Sequence, residues 1–478
     1  MGWRAGSSRE SPHLSVLDYY EDADVRHAML EYAGATARSS ATAVYFAGLC
    51  PGDHAFPAWD RDGVRVAPAE LEALCGRACD IARSLWDRTH LLFLIELDYE
   101  NVDEPAEPYL RPVETFFKIE PVYRAARHVF AQMGLTTSVV MSGRGYHFAG
   151  QIALDDPLVP ALAALLPETP GWHATLGDRR QLPSEPPMSA VHARAAGGLG
   201  LLLEYAAHLI LKAAEDTARV PVVVNGTVVG SGIVGRECVS VDFSHAGDPL
   251  DVRHVRSAFS AYQWHLLRPD IFGRLGQRHL AALATLPRPH RPLPTIVISG
   301  RDLCAARAAA RRTPVALPDI SGGLAHLLRA YSASPLATFH RSFYAEQAQA
   351  PRSLDLDTLP PCVQAPLLYP NDLLLKPEHL QHLVRSLIAR DWTPAEIAAL
   401  VRSKYEEPHQ WGNRWTRMHP QTRAEFDVRV FAGLIHTGLD TLVDFNCVSA
   451  QEKDLCPRTG CTFDMRLDRD RLARQRPS

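Results

Sequence analysis

The sequence predicts an α+β chain, on three observations. Short apolar or β-branched runs suited to strands occur at residues 91–95, 136–141 and 238–243. Longer stretches with helical spacing lie around them, at residues 18–35, 114–133 and 197–214. Beyond residue 355 the strand signal ends, and helical patterns at 380–390, 393–405 and 423–437 lead into a group of cysteines.

Taken in order, residues 7–12 read as a frayed tail. Over residues 18–35, Tyr19, Tyr20, Val25, Met29, Leu30 and Tyr32 are candidate core positions. Residues 43–46 suit a short strand and 51–62 carry turn chemistry. Residues 67–86 read as a helix with Cys75 and Cys79 four apart on one face. Thiols so spaced fit half of a metal site, or simply small apolar residues on a buried face.

The next stretch, LLFLIELDYEN at 91–101, is the most informative. Its apolar run is too short for a membrane span and suits a buried strand. It delivers two carboxylates, Glu96 and Asp98, spaced by two. On a strand that spacing puts both on one face, where their repulsion is costly unless a cation lies between them. The pattern fits a magnesium or manganese site; a strand end entering solvent is the alternative.

A proline-rich loop at 104–112 and an amphipathic helix ending at Gly134 follow. Then LTTSVVMSGRGYHFAGQIAL predicts a strand at 136–141, a glycine turn at 142–145 and a second strand at 147–154. The turn presents Ser142, Arg144 and His147 together. Glycine lets backbone N–H groups approach an anion, and Arg with His supplies positive charge, so a triphosphate cradle is the functional reading and a plain hairpin turn the bland one. Residues 157–187 are rich in proline, 197–214 are helical, and 220–229 suggest strands about an Asn225-Gly226 turn. His173, His192 and His208 lack accompanying cysteines and read as ordinary histidines.

The segment RECVSVDFSHAGDPLDVRHVRSAFSAYQ alternates as a strand over 238–243, placing Asp242 at an exposed sheet end. Arg253, Arg256 and Ser260 follow beside Phe259 and Tyr262. Three carboxylates from two strands, a basic turn and further arginines suit two-metal nucleotidyl transfer. In that chemistry two cations held by acids activate a 3′-hydroxyl and neutralise the departing pyrophosphate.

Composition narrows the classes. The 478 residues suggest roughly two to four domains. An apolar share of 46% with 22% charged residues is enough to bury a core. With a formal net charge of only −4, any nucleic-acid surface must be a local patch. The start MGWRAG carries neither a signal peptide nor a myristoylation pattern, and the most apolar helix, 198–214, is interrupted by Glu204, His208 and Lys212. A cytosolic (cytoplasmic) protein with no membrane association is expected. Nine cysteines, an odd number without a secretory signal, argue for thiols or ligands over a disulfide framework.

Toward the C-terminus, residues 287–294 and 313–351 read as a boundary region containing a helix at 324–331. Thr393 with Glu396 forms a capping box, and Trp411 and Trp415 flank a basic, glycine-containing turn. Four cysteines fall here: Cys362, Cys447, Cys456 and Cys461. The last three lie in loop sequence, FNCVSAQEKDLCPRTGC, with Pro457 and Gly460 suited to tight turns. Four thiolates satisfy a structural zinc or an iron–sulfur cluster, and the absence of a CxxC pair leans away from an ordinary zinc ribbon.

In these residues the chain resembles the archaeo-eukaryotic primase superfamily. Glu96-Leu97-Asp98 is similar to its DxD or ExD strand, Ser142 to His147 to its SxH-type hairpin, and Val241-Asp242 to its later strand ending in Asp. The following RHVRSAFSAYQ resembles the K-S-P-F-S segment of primase small subunits. Pro360-Pro361-Cys362, His382 with Arg385, and the late cysteines are similar to the C-terminal domain of the primase large subunit, which carries a [4Fe–4S] cluster. The chain departs from the pattern in having Glu as its first carboxylate and in lacking the zinc knob of many small subunits.

The resemblance implies an RRM-like catalytic domain over residues 1–300, a helical connector over 301–354, and a mostly α-helical iron–sulfur domain over 355–478. It implies a DNA-dependent primase-polymerase working on single-stranded DNA with nucleoside triphosphates, in company with a helicase or other replication or defence proteins. Glu96, Asp98 and Asp242 would hold Mg2+ or Mn2+. Ser142, Arg144, His147 and Arg256 would contact phosphates of the nucleotide. Cys362, Cys447, Cys456 and Cys461 would hold the cluster, or Zn2+, in a domain that engages the template and the initiating nucleotide. The other function class is a catalytically silent nucleic-acid-binding or defence-associated protein, CRISPR-linked for example, with the same fold.

Overall fold

The chain folds as α+β, with its strands in the N-terminal part and a helical C-terminal region. The computed structural model describes residues 14–50, 64–167, 189–226, 236–247, 254–267, 281–288, 291–346, 353–411, 419–457 and 461–475. In chain order the strands are β1 Phe46–Leu49, β2 Val64–Val66, β3 Asp80–Ser84, β4 His90–Asn101, β5 Ser138–Met141, β6 Gly145–Ala153, β7 Val222–Val224, β8 Glu237–Asp242, β9 His254–Arg256, β10 Ala261–Tyr262, β11 Leu283–Ala284 and β12 Leu286–Pro287. They form a six-stranded sheet ordered β12-β5-β6-β4-β8-β7, a four-stranded sheet ordered β2-β1-β3-β9, and the pair β10-β11.

β4 is a central strand of the larger sheet, and its alternation explains the layering. Leu91, Phe93, Ile95, Leu97 and Tyr99 point into a large core shared with the helices Pro112–Gln132 and Ala190–Ala214. Leu92 and Leu94 point the other way, into a second core built with the smaller sheet and the helices Val16–Tyr20 and Ala23–Tyr32. The run at 91–95 is apolar throughout because both faces of the sheet are covered here. Beyond Leu94 the second face turns acidic, at Glu96 and Asp98.

The C-terminal helices Pro361–Leu368, Pro377–Ile388, Pro394–Glu406 and Pro420–His436 join the same large core as β4, through residues such as Leu383, Val401 and Val430. The region between, expected as a connector, is built from Leu303–Ala310, Ser321–Ser332 and Pro335–Ala345, with Leu327, Tyr331 and Phe339 in the shared core or against it. A buried polar network fastens the two parts. Glu204, on Ala190–Ala214, accepts from Arg429 Nε at 2.9 Å and lies 3.1 Å from His340 Nε2. Burial works to raise the Glu204 carboxyl, but His340 and Arg429 hold it down at about 2. Among the described residues no helix is long and apolar enough to cross a membrane.

Several expectations are corrected. Residues 67–86 are not one helix: a short helix Leu71–Cys75 stops at Gly76, Ala78 turns with φ of 52°, and β3 begins at Asp80. Pairing of β3 with β1 and β9 overrides the local helical spacing. Cys79 consequently leaves the face of Cys75 and forms a disulfide with Cys50, against the expectation of free thiols or ligands. The strand expected at 43–46 begins instead at Phe46. The Asn225 turn does not join a hairpin within the described residues; β7 lies parallel to β8, and residues 227–229 fall outside them. The expectations for residues 7–12 and 51–62, most of 157–187, Arg253, Trp415 and Gly460 also lie outside the described residues.

Candidate metal and nucleotide site

The acidic face is assembled by strand register. In β4, Glu96 stands opposite Asp242 of β8 on one side and His147 of β6 on the other. Asp98, two residues on, stands opposite Ser240 and Gly145. Ligand oxygens of Glu96, Asp98 and Asp242 all lie within 4.8 Å of one another. Among the described residues this is the one group of three or more His, Cys, Asp or Glu ligands so gathered. Three clustered carboxylates repel unless a counter-charge joins them, and all-oxygen donors suit a hard cation such as Mg2+ or Mn2+.

The hairpin β5–β6 brings the other predicted side chains to the same place. Its turn closes with Ser142 N–H donating to the Gly145 carbonyl at 2.9 Å. A Cβ on Gly145 would overlap the Leu97 carbonyl oxygen, so only glycine lets the turn lie this close to β4. Arg144 donates from Nη2 to Asp98 Oδ2 at 2.8 Å and from Nη1 to Glu100 Oε1 at 3.1 Å. His147 is buried, with Nε2 3.5 Å from Glu96 Oε1 and Nδ1 lacking a hydrogen-bond partner. Burial, opposed by Asp98, pushes its pKa down to about 4, so it is neutral at pH 7. Ser142 is buried as well, and its hydroxyl lies 3.4 Å from the Arg144 amide, inside the turn.

Arg256 reaches the site differently. It pairs fork to fork with Asp80 of β3, at 2.8 and 2.7 Å, and lies 4.2 Å over the Tyr262 ring. The Tyr262 hydroxyl meets that of Tyr109 at 2.9 Å, and a Cβ on Gly143 would run into the Tyr262 ring. Thus Arg256 adjoins the hairpin turn while being held by a carboxylate. Tyr20 fixes the neighbouring chain, accepting from Ala261 N–H and donating to the Cys79 carbonyl, both at 2.8 Å.

Two contributors escaped the sequence reading. Glu100 continues the alternation of Glu96 and Asp98, and the spacing E-x-D-x-E marks it. Burial raises its carboxyl above the ordinary range; Arg144 opposes the rise, and Asp98, Asp242 and Glu378 add to it. Glu378 lies in the first turn of Pro377–Ile388. Asp80 is the second, and nothing local signals it, because its partner Arg256 lies on another strand.

In the helical region, Cys362 is buried near the start of Pro361–Leu368, with Sγ 3.2 Å from His382 Nε2. Cys447, expected in a loop, instead opens the helix Cys447–Glu452 behind the Asn446 cap; Cys456 is half-buried and Cys461 exposed. Burial pushes the Cys362 thiol up to about 12, and the charges of Cys456, Cys461 and Cys447 add to the rise. Among the described residues no three of these cysteines are gathered as the carboxylates are. Arg385, one helical turn beyond His382, forks onto Asp440 at 2.8 and 2.7 Å and reaches Asp444 at 3.0 Å. Lys453 also pairs with Asp444. These contacts clamp the chain on both sides of Cys447.

No protein-family model, curated protein or solved structure matches the chain. The class of site therefore rests on its geometry: a carboxylate face fit for divalent cations, flanked by an arginine and a buried neutral histidine.

Proposed function

We propose that the chain is a DNA-dependent primase-polymerase with the archaeo-eukaryotic primase fold, extending primers on single-stranded DNA by nucleotidyl transfer from nucleoside triphosphates. The observation that carries this reading is the convergence of Glu96, Asp98 and Asp242 on a sheet face that also presents Arg144 and His147. Magnesium or manganese held there would supply the activation of the 3′-hydroxyl and the neutralisation of the leaving pyrophosphate. Glu96, Asp98 and Asp242 would hold those cations. Arg144 and the neutral His147 donate to the triphosphate, and Ser142 keeps their turn closed. The primer 3′-hydroxyl gives its proton to water, its oxygen bonds to the α-phosphorus, and the bond to the β-phosphate breaks, with pyrophosphate leaving.

In the same reading Cys362, Cys447, Cys456 and Cys461 bind a [4Fe–4S] cluster. What supports this reading is the presence of Cys362, Cys447, Cys456 and Cys461 in one helical region, with Cys362 charge-coupled to the other three. Iron and acid-labile sulfide in anaerobically purified protein test this; stoichiometric zinc without iron overturns it.

One observation favours the silent alternative: Arg144 already gives Asp98 a counter-charge from within the chain. A primer-synthesis assay on single-stranded template, with each nucleotide type labelled in turn, decides. The polymerase reading predicts cation-dependent product with at least one nucleotide type. Template binding without product would establish the alternative.

A further inference from the structure

Arg144 and the cations of the proposed reaction make the same claim on Asp98. The guanidinium pairs with Asp98 through Nη2 and with Glu100 through Nη1, so one side chain bridges two carboxylates spaced by two on one sheet face. Its backbone cannot retreat, because the Arg144 carbonyl accepts from Tyr99 N–H at 3.0 Å and the turn is closed by Ser142 and Gly145. A divalent cation on Asp98 competes with the guanidinium and repels it. The side chain must then pivot, and the carboxylate already in its grasp is Glu100.

We propose that Glu100 is a positioning residue that draws Arg144 off Asp98 when a cation binds, opening the metal site and aiming the guanidinium at the incoming triphosphate. Glu100 itself lies outside the group of carboxylates gathered within 4.8 Å, so it acts through Arg144 and not as a ligand. The guanidinium keeps one edge on Glu100 and frees the edge that held Asp98, which suits its planar fork of donors. Metal and nucleotide binding are thereby coupled: each favours the arrangement in which Arg144 has left Asp98. The inference rests on the metal-site reading above.

The test is a double-mutant cycle read by Mn2+ binding to the full chain, followed by calorimetry and by electron paramagnetic resonance of free Mn2+. The four proteins are the wild type, Glu100→Gln, Arg144→Ala and the double variant. Glu100→Gln should weaken Mn2+ by about tenfold, because Arg144 then has only Asp98 to hold, and Arg144→Ala should restore it. The gain from Arg144→Ala should be about tenfold larger in the Glu100→Gln background than in the wild type, a non-additivity that independent charges do not give. Glu100→Asp, which keeps the charge, should bind Mn2+ nearly as the wild type does, and it keeps the test decisive if Glu100→Gln folds poorly. Equal gains from Arg144→Ala in both backgrounds would overturn the proposal, as would loss of a bound Mn2+ in Glu100→Gln that the second substitution leaves unrestored. A folded wild type that binds no Mn2+ would overturn the metal reading itself, a distinct result.

Discussion

At the scale of single residues, His147 illustrates how position sets chemistry. It sits opposite Glu96 in the register, buried, and its low pKa keeps it a neutral donor beside three acids. A protonated imidazole there would pair with the carboxylates; a neutral one can donate to phosphate and leave their charge for a cation. We therefore expect His147→Ala to raise the nucleotide KM by about tenfold, a lost charge-assisted hydrogen bond, with template affinity unchanged. Parallel loss of template binding would mean that the hairpin had collapsed. The pair Glu96 and Asp98 was legible in the sequence because strand alternation is a local property, and Asp242 because its own strand ends on it. The partners of Arg144 and Arg256 were not, since ion pairs between strands depend on register and sheet order, which no local pattern encodes.

At the scale of elements, the hairpin β5–β6 depends on Gly145. A methyl group there would overlap the Leu97 carbonyl oxygen across the ladder, so Gly145→Ala must push β6 away from β4 where Asp98 and Arg144 meet. The expected result is a loss of about 2 kcal/mol or more in unfolding free energy, measured in denaturant, together with loss of nucleotide incorporation. Full retention of both would show that the turn is not held this tightly. This element was readable from SGRGYH, as was the helix after Thr393, whose hydroxyl accepts from Glu396 N–H at 3.2 Å in the expected capping box. Other helix starts were missed for a common reason. Pro335, Pro361, Pro377 and Pro420 each open a helix. Proline in the first turn loses no hydrogen bond, so a residue that reads as an interruption is here a beginning. Residues 67–86 failed in the opposite direction, with helical spacing drawn into a strand by its neighbours in the sheet.

At the scale of the molecule, the strand-bearing and helical parts share one apolar core and the buried ion group of Glu204, Arg429 and His340. Arg429→Ala would leave Glu204 with a buried charge and cost about 3–5 kcal/mol. Fluorescence of Trp86 in the first part and of Trp392 in the second, isolated by replacing the other tryptophans, should report one coincident denaturation; separate transitions would mean independent domains. This union was hidden in the sequence, because the apolar faces of residues 197–214 and 423–437 do not say which helix they meet. The thiol group is expected to matter at the same scale. Cys461→Ser should lose iron, extend a supplied primer normally and initiate poorly, whereas initiation at the wild-type rate would detach the cluster from that role. Incorporation of labelled nucleotide on single-stranded template by the wild type, Asp98→Ala and Asp242→Ala in Mg2+ or Mn2+ decides whether the carboxylate face is catalytic. Product is expected from the wild type, with a fall of about a hundredfold or more in each variant and circular dichroism unchanged. Undiminished incorporation by either folded variant would contradict that role.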